Sequence, residues 1–303
     1  MRAGGREAGH LLPVPRTRAA LDVLVANVRA AQAALPVPLA VENVAALLGW
    51  PDDELTDGQF LAELVERTGV GLLLDVANLH TNSVNLGLDP LRALADLPLE
   101  AVAYVHVAGG TSHDGVWHDT HTHPVPGEVL ALLTDLCSRV AVPGVLLERD
   151  GAYPPDAELA AELAAIRRAA SVPPATRPAT VPARPPRPGS AGDLAAARAA
   201  LAQAQDGLIG ALVSGAAGPA GFDPDRLRVQ AGALLAKRRD LVARLLPELA
   251  DEADFPARFA AYARHCPRPP GGAAADAAAF TRHLGPSGRI RSWTPGATSS
   301  SAM

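Results

Sequence analysis

GLLLDVAN, residues 71–78, is a nearly unbroken apolar run that ends in polar residues. Three other stretches share that form: PLAVEN (38–43), AYVHVAG (103–109) and GVLLERD (144–150). Short continuous runs of Val, Leu and Ala are how strands buried on both faces read. Helix-like segments lie around and between them. ALDVLVANVRAAQAAL (20–35), DGQFLAELVERTG (57–69, with Gly69 placed as a C-cap) and PGEVLALLTDLCSRV (126–140) carry an apolar stripe at helical spacing. Alternation of the two patterns predicts βα units on a parallel sheet, either a barrel or a doubly wound sheet, with the barrel preferred. In such barrels reactive side chains sit at the C-terminal ends of strands. Glu42, Asp75, His106 and Glu148 all occupy that position.

These four residues are metal-capable, and more of the same chemistry lies nearby. Of the 9 histidines, His80, His106, His113, His118, His121 and His123 fall in one part of the chain. WHDTHTHPV (117–125) gathers three of them around Asp119, and the Asp119-x-His121 pair offers an oxygen and a nitrogen ligand. Mixed carboxylate and imidazole donors suit iron, manganese or zinc. Blander roles compete. His106 can be a satisfied core residue, Asp75 can cap the turn after it, and Glu148 can pair with Arg149. His113 and His118 read as solvated loop residues, and His123 as second-layer or structural. What favours a cation is cost: unpaired charges at buried strand ends are each worth several kcal/mol, and one ion offsets them together.

Composition narrows the classes further. The 303 residues suffice for about two domains, and 48% are hydrophobic. The net charge of −5 and the lack of a long basic run argue against nucleic acid. No apolar stretch is long enough for a signal peptide or a membrane span, so a cytoplasmic location is expected. The two cysteines, Cys137 and Cys266, build neither a disulfide framework nor a cysteine-rich zinc site, and Cys137 reads as helix core. There is no G-x-S-x-G elbow and no glycine-rich phosphate loop.

Four regions are expected: a metal-binding partial barrel at 1–170, a proline-rich linker at 171–190, a helical domain at 191–285 and a disordered tail at 286–303. In the helical region, 193–215 places Leu194, Leu201, Leu208 and Leu212 on one stripe. Residues 225–249 do the same with Leu227, Leu234, Leu241 and Leu245, leaving Lys237, Arg238 and Arg239 on a solvated face.

Taken in series, LAVENVAALLGW, GVGLLLDVANLHTNSVNLGLDP, VAYVHVAGG, HDTHTHPVPGEVL and GVLLERDGAYPP resemble the multinuclear non-haem iron-dependent oxidative enzymes, known also as domain of unknown function 692. The resemblance runs from about residue 9 to 169. It implies a TIM-type barrel, two or three iron ions, dioxygen as oxidant and a cysteine-containing ribosomal peptide as substrate. It implies Glu42, Asp75, His106, Asp119, His121 and Glu148 as metal ligands, with Asn78 and His80 close by and His10 near a further family histidine. The chain departs from the family in two ways. Asn85-Leu86-Gly87 stands where the family has Asn-His-Gly, and only four strands are evident where a barrel has eight. A partial barrel exposes strand edges, so self-association or a partner protein is expected, together with weak or absent activity. The helical region faintly resembles partner proteins of this family. The alternatives are a divalent-metal barrel enzyme of the xylose-isomerase type and a degenerate scaffold that binds partners.

Overall fold

A computed structural model describes residues 1–113, 115–174 and 191–285. Most of the expected linker and the whole expected tail lie outside the described residues. The elements, in chain order, are β1 (Arg2–Ala3), β2 (Arg6–Glu7), α1 (Arg18–Ala34), β3 (Ala40–Glu42), α2 (Asp57–Thr68), β4 (Gly71–Asp75), α3 (Val76–Leu86), α4 (Pro90–Asp96), β5 (Val102–Ala108), β6 (Thr111–His113), β7 (Val116–His118), α5 (Gly127–Arg139), β8 (Val145–Glu148), α6 (Asp156–Ala170), α7 (Ala191–Ser214), α8 (Pro224–Ala243), α9 (Pro247–Ala250), α10 (Phe255–His265) and α11 (Gly272–Leu284). They fall into two compact units. One holds residues 11–205 and 220–226; the other holds 1–10, 206–219 and 227 onward. The first ten residues, expected with the barrel, thus belong to the helical unit.

In the α/β unit, β3, β4, β5 and β8 form one parallel sheet in that order. These are the four strands read from the sequence, and with their helices they make a partial TIM-type barrel. Among the described residues β3 and β8 are its edges. Local chemistry fixes where each element starts and stops. Thr56 and Gln59 form a reciprocal capping box on α2, and Gly69 ends that helix at φ 67°, a left-handed conformation that glycine adopts without steric cost. The run 71–78 is strand only as far as Asp75, the strand end read from the sequence. The strand stops at Asp75, whose carboxylate accepts hydrogen bonds from the backbone N–H groups of Ala77 and Asn78 and starts α3. The short antiparallel β6–β7 hairpin lies in the histidine-rich stretch read as loop.

One face of the sheet is covered. Leu72, Leu74, Val105 and Val107 are fully buried against α5 residues Leu133 and Leu136. At about 25 cal/mol per Å², each such aliphatic side chain contributes roughly 1.5–3 kcal/mol. A second cluster joins α1 and α2 through Leu21, Val25, Phe60 and Leu64. By contrast Tyr104 and Leu146 keep 39% and 44% of their surface, where a closed barrel would fill its interior.

The helical unit has its own aromatic core. Phe255, Phe259, Tyr262 and Phe280 meet at ring-centroid distances of 5.2–6.1 Å. The helix expected over 225–249 is broken: α8 ends at Ala243, and a new turn starts at Pro247, whose ring cannot continue a helix. Leu245 falls in the break and is exposed rather than on the stripe. Arg238 also departs from the expected solvated face. It turns inward onto Asp276, with Nε and Nη2 donating to the two carboxylate oxygens at 2.7 and 2.8 Å. Among the described residues no helix is long and apolar enough to cross a membrane.

Candidate metal centre

The parallel register brings the strand ends together. Asp75 stands opposite His106 across β4–β5, and Ala108 opposite Glu148 across β5–β8. Glu42 closes β3 on the other side of β4. Asp119 and His121 follow β7 directly. Ligand atoms of Glu42, Asp75 and His106 lie within 4.8 Å of one another, and so do those of Asp75, His121 and Glu148. The two groups share Asp75. That is the arrangement a bridging carboxylate between two cations requires.

The hydrogen bonding inside the cluster is incomplete. His106 Nδ1 lies 3.4 Å from Glu42 Oε1 and 3.1 Å from Glu148 Oε1, yet it is buried and hydrogen-bonded to neither. Close distance without donor geometry leaves the nitrogen lone pair and the carboxylates aimed at a common space. Asp119 Oδ1 and Asn78 Oδ1 are buried without a hydrogen-bond partner too. Such orphaned polar atoms each cost about 1–3 kcal/mol, and a bound cation relieves the acceptors. The donor set, three carboxylates and two imidazoles in the two groups, fits iron, manganese or zinc by chemical type.

Crowded acids in a half-buried site resist ionisation. Burial, then the charge of Asp119, pushes the Asp75 carboxyl up to about 7. Glu42 is raised as well, chiefly by burial. His121 is raised too, for a different reason: its hydrogen bond to Asp119, Nε2 to Oδ2 at 3.0 Å, is the main cause of its rise to about 9. Its Nδ1 stands 3.4 Å from Glu148 Oε2 and 3.5 Å from Asp150 Oδ2. His121 adopts φ 54°, an uncommon backbone conformation for a residue with a side chain.

The remaining sequence-read residues are placed as follows. Asn78 Nδ2 donates to the Asn43 carbonyl at 2.9 Å, and its Oδ1 is the orphan named above. His80 lies outside both ligand groups; its ring stands edge-on to Trp117 at 4.8 Å, and burial lowers its pKa. His10 belongs to the helical unit, where Lys237 Nζ donates to its Nδ1 at 3.0 Å. His123 Nδ1 is hydrogen-bonded with the Thr120 and Thr122 hydroxyls. Arg149, considered as a partner for Glu148, instead donates to Glu162 at 2.5 Å.

Two residues that sequence reading passed over hold the site in place. Asn43 exchanges hydrogen bonds with the Asp75 backbone. Asn85 does the same with Trp117, accepting from its N–H at 2.8 Å and donating to its carbonyl at 2.9 Å, two residues before Asp119. Both asparagines stand inside quoted motifs, but nothing in a linear pattern says that an amide will pair with a distant backbone.

Two family profiles match the chain. Residues 1–171 match the family profile described as RiPP precursor modification enzyme MbnB/TglH/ChrH, and residues 202–286 match the SCO6045-like C-terminal domain. A UPF0276 protein of Streptomyces avermitilis is 51% identical over 340 residues, covering 95% of this chain and 70% of the relative. UPF0276 proteins of Chromobacterium violaceum and Caulobacter vibrioides are 42% and 39% identical over 159 residues. Those matches cover 52% of this chain and 58% and 57% of the relatives, so the chain spans little more than half of their length. With a family profile matched across its whole α/β part, the chain belongs to the MbnB/TglH/ChrH family of RiPP precursor modification enzymes.

Proposed function

We propose that the site holds two metal ions bridged by Asp75, and that the metal is iron serving oxidation of a cysteine-containing ribosomal peptide. The observation that carries this reading is the pair of ligand groups sharing one carboxylate around an imidazole nitrogen that has no hydrogen bond. Glu42 and His106 would hold one ion, His121 and Glu148 the other. Asp119 would turn the His121 ring through its 3.0 Å contact, as carboxylates behind metal-bound histidines do. Asn78, beside Asp75, would contribute its orphaned Oδ1. When bound, reduced iron supplies what side chains cannot, the activation of dioxygen for oxidation of the peptide. The chain's own part is to hold the ligands and to orient a peptide over the open end of the sheet.

The test begins with metal, not turnover. Chain loaded anaerobically with ferrous iron, then desalted, is expected to retain more than one iron per polypeptide by elemental analysis. Glu42→Ala and Glu148→Ala should each lose part of that iron, and Asp75→Ala most of it. Oxygen uptake with a cysteine-containing peptide then reads the oxidative chemistry. Retention of zinc or manganese in preference to iron, with no oxygen uptake, would favour the isomerase-type reading. A chain that retains no metal under any loading would leave a scaffold role in its place.

A further inference from the structure

Glu162, on α6, joins the two segments that carry one half of the metal centre. Its Oε1 accepts from the Val125 N–H at 2.8 Å, and its Oε2 from Arg149 Nη2 at 2.5 Å. Arg149 directly follows Glu148 at the end of β8, and Val125 closes the loop that begins with Asp119 and His121. The same two segments also meet without help from α6, where the Asp150 N–H donates to the His121 carbonyl at 2.8 Å. The loop is seated against the end of β5 as well. A Cβ built on Gly109 would stand 2.0 Å from the His123 carbonyl oxygen and 2.3 Å from that of Pro124, so only glycine allows this approach.

Stability alone does not account for the Arg149–Glu162 pair. The two side chains keep 7% and 11% of their surface, and the cost of taking two charges out of water offsets much of their attraction. Arg149 Nε is buried with no hydrogen-bond partner, a further cost. What the pair does fix is geometry. Ile166 and Ala169 bury α6 in the core of the sheet and Leu163 packs against that core, so Glu162 stands on a fixed base.

We propose that Glu162 is a positioning residue for the metal ion assigned to His121 and Glu148: it sets the separation of those two ligands by gripping the segment of each with a different oxygen. The inference rests on the two-ion reading above. Glu162 belongs to neither ligand group, so its effect reaches the ion through Arg149 and Val125. Groups behind a metal ligand act in this way, by fixing where the ligand atom stands. The ion between Glu42 and His106 has no such link to α6 through these contacts and should not respond.

Zinc titration of the full 303-residue chain tests it, together with amide exchange of the metal-free chain. Arg149→Met with Glu162→Gln breaks the grip on the Glu148 segment, strands no charge and keeps an oxygen for the Val125 N–H, so it is expected to fold. It should weaken one of two zinc ions by about 10- to 100-fold and leave the other unchanged. In the metal-free chain the Asp150 amide should exchange about tenfold faster or more, because its bond to His121 loses its support. If that variant does not fold, Glu162→Asp carries the same comparison, since it keeps the charge but is one methylene too short to grip both segments. The proposal is overturned if a folded variant binds both ions as the wild type does, if both ions weaken alike, or if the Asp150 amide exchanges at the wild-type rate. Uptake of fewer than two zinc ions by the wild type would instead overturn the two-ion reading, and the Asp150 amide would still decide whether Glu162 ties the two segments together.

Discussion

The side chain of Asn43 and the backbone of Asp75 hold each other by two hydrogen bonds, the Asp75 N–H donating to Oδ1 and Nδ2 donating to the Asp75 carbonyl, each at 2.8 Å. Both residues are 1% exposed. The pair ties the end of β3 to the end of β4 one step beyond their ladder, which stops at Glu42 and Leu73. Asn43→Ala would strand a buried donor and a buried acceptor on the Asp75 backbone. The expected cost is about 3 kcal/mol in urea unfolding, together with a loss of bound metal as Asp75 shifts. A change below about 0.5 kcal/mol would mean that the backbone finds water or another partner.

Asp75 caps α3 and is the proposed bridging ligand, and two substitutions separate these roles. Its Oδ1 caps α3 by accepting from Ala77 and Asn78 at 2.7 and 3.1 Å. Asn keeps a capping oxygen, whereas Ala loses it at a cost of about 1 kcal/mol. The folded pKa of about 7 lies above the ordinary value of 3.8, so the ionised form is disfavoured by folding. That contribution to stability is fully present below pH 3.8 and is lost as pH rises through about 7. Metal-free Asp75→Asn at pH 8 should therefore melt no lower than the wild type, and Asp75→Ala should melt below Asp75→Asn. With Asp75 bridging as proposed, both should bind less metal, because neither supplies two carboxylate oxygens. Equal metal content in Asp75→Asn and wild type would remove Asp75 from the bridging role.

These relationships mark what a linear reading can and cannot reach. Buried strands announce themselves by continuous apolar runs, and the four in this chain pair in the order of the sequence. Glu42, Asp75, His106 and Glu148 converge because parallel βα units bring the same ends of all strands to one side. The cap at Asp75 was legible as an alternative to a ligand; the structure shows the cap, and the ligand role is the one proposed above. Asn43 and Asn85 were not legible, since amide-to-backbone pairs have no spacing rule across 32 residues. Arg238 was misplaced for another reason. A charged residue beside Lys237 and Arg239 reads as surface until Asp276, 38 residues on, supplies the counter-charge.

The Arg238–Asp276 pair makes its own prediction. Asp276 is fully buried and accepts from Tyr262 Oη at 2.8 Å as well as from Arg238. The guanidinium also lies 5.6 Å from the Phe259 ring centroid and 5.3 Å from that of Tyr262. Asp276→Ala leaves a partly buried cation without its partner and should destabilise the helical unit by about 3–5 kcal/mol. Replacing both partners, Arg238→Met with Asp276→Leu, should cost clearly less than Asp276→Ala alone, because no charge is stranded. Thermal unfolding of the single and double variants decides it; a double variant at least as damaged as Asp276→Ala would show that the charges stabilise beyond mutual compensation.

Metal binding should depend on pH, in a direction set by two of the proposed ligands. Metal-binding carboxylates and imidazoles must be deprotonated, so protons compete with the cation. In the metal-free chain Asp75 holds its proton to about 7 and His121 to about 9. Between pH 6 and 7 both protons must leave on binding, and between 7 and 9 only that of His121. The apparent affinity should rise with pH across this window, by about tenfold per unit for each proton displaced, and level off above 9. Titration of zinc, which does not oxidise, in buffers of different ionisation enthalpy counts the protons released. His121→Gln should bind more weakly and lose the upper limb of the profile, leaving the limb near 7. Were affinity flat from pH 6 to 9, neither group would be a ligand, because a ligand cannot keep its proton and bind the ion.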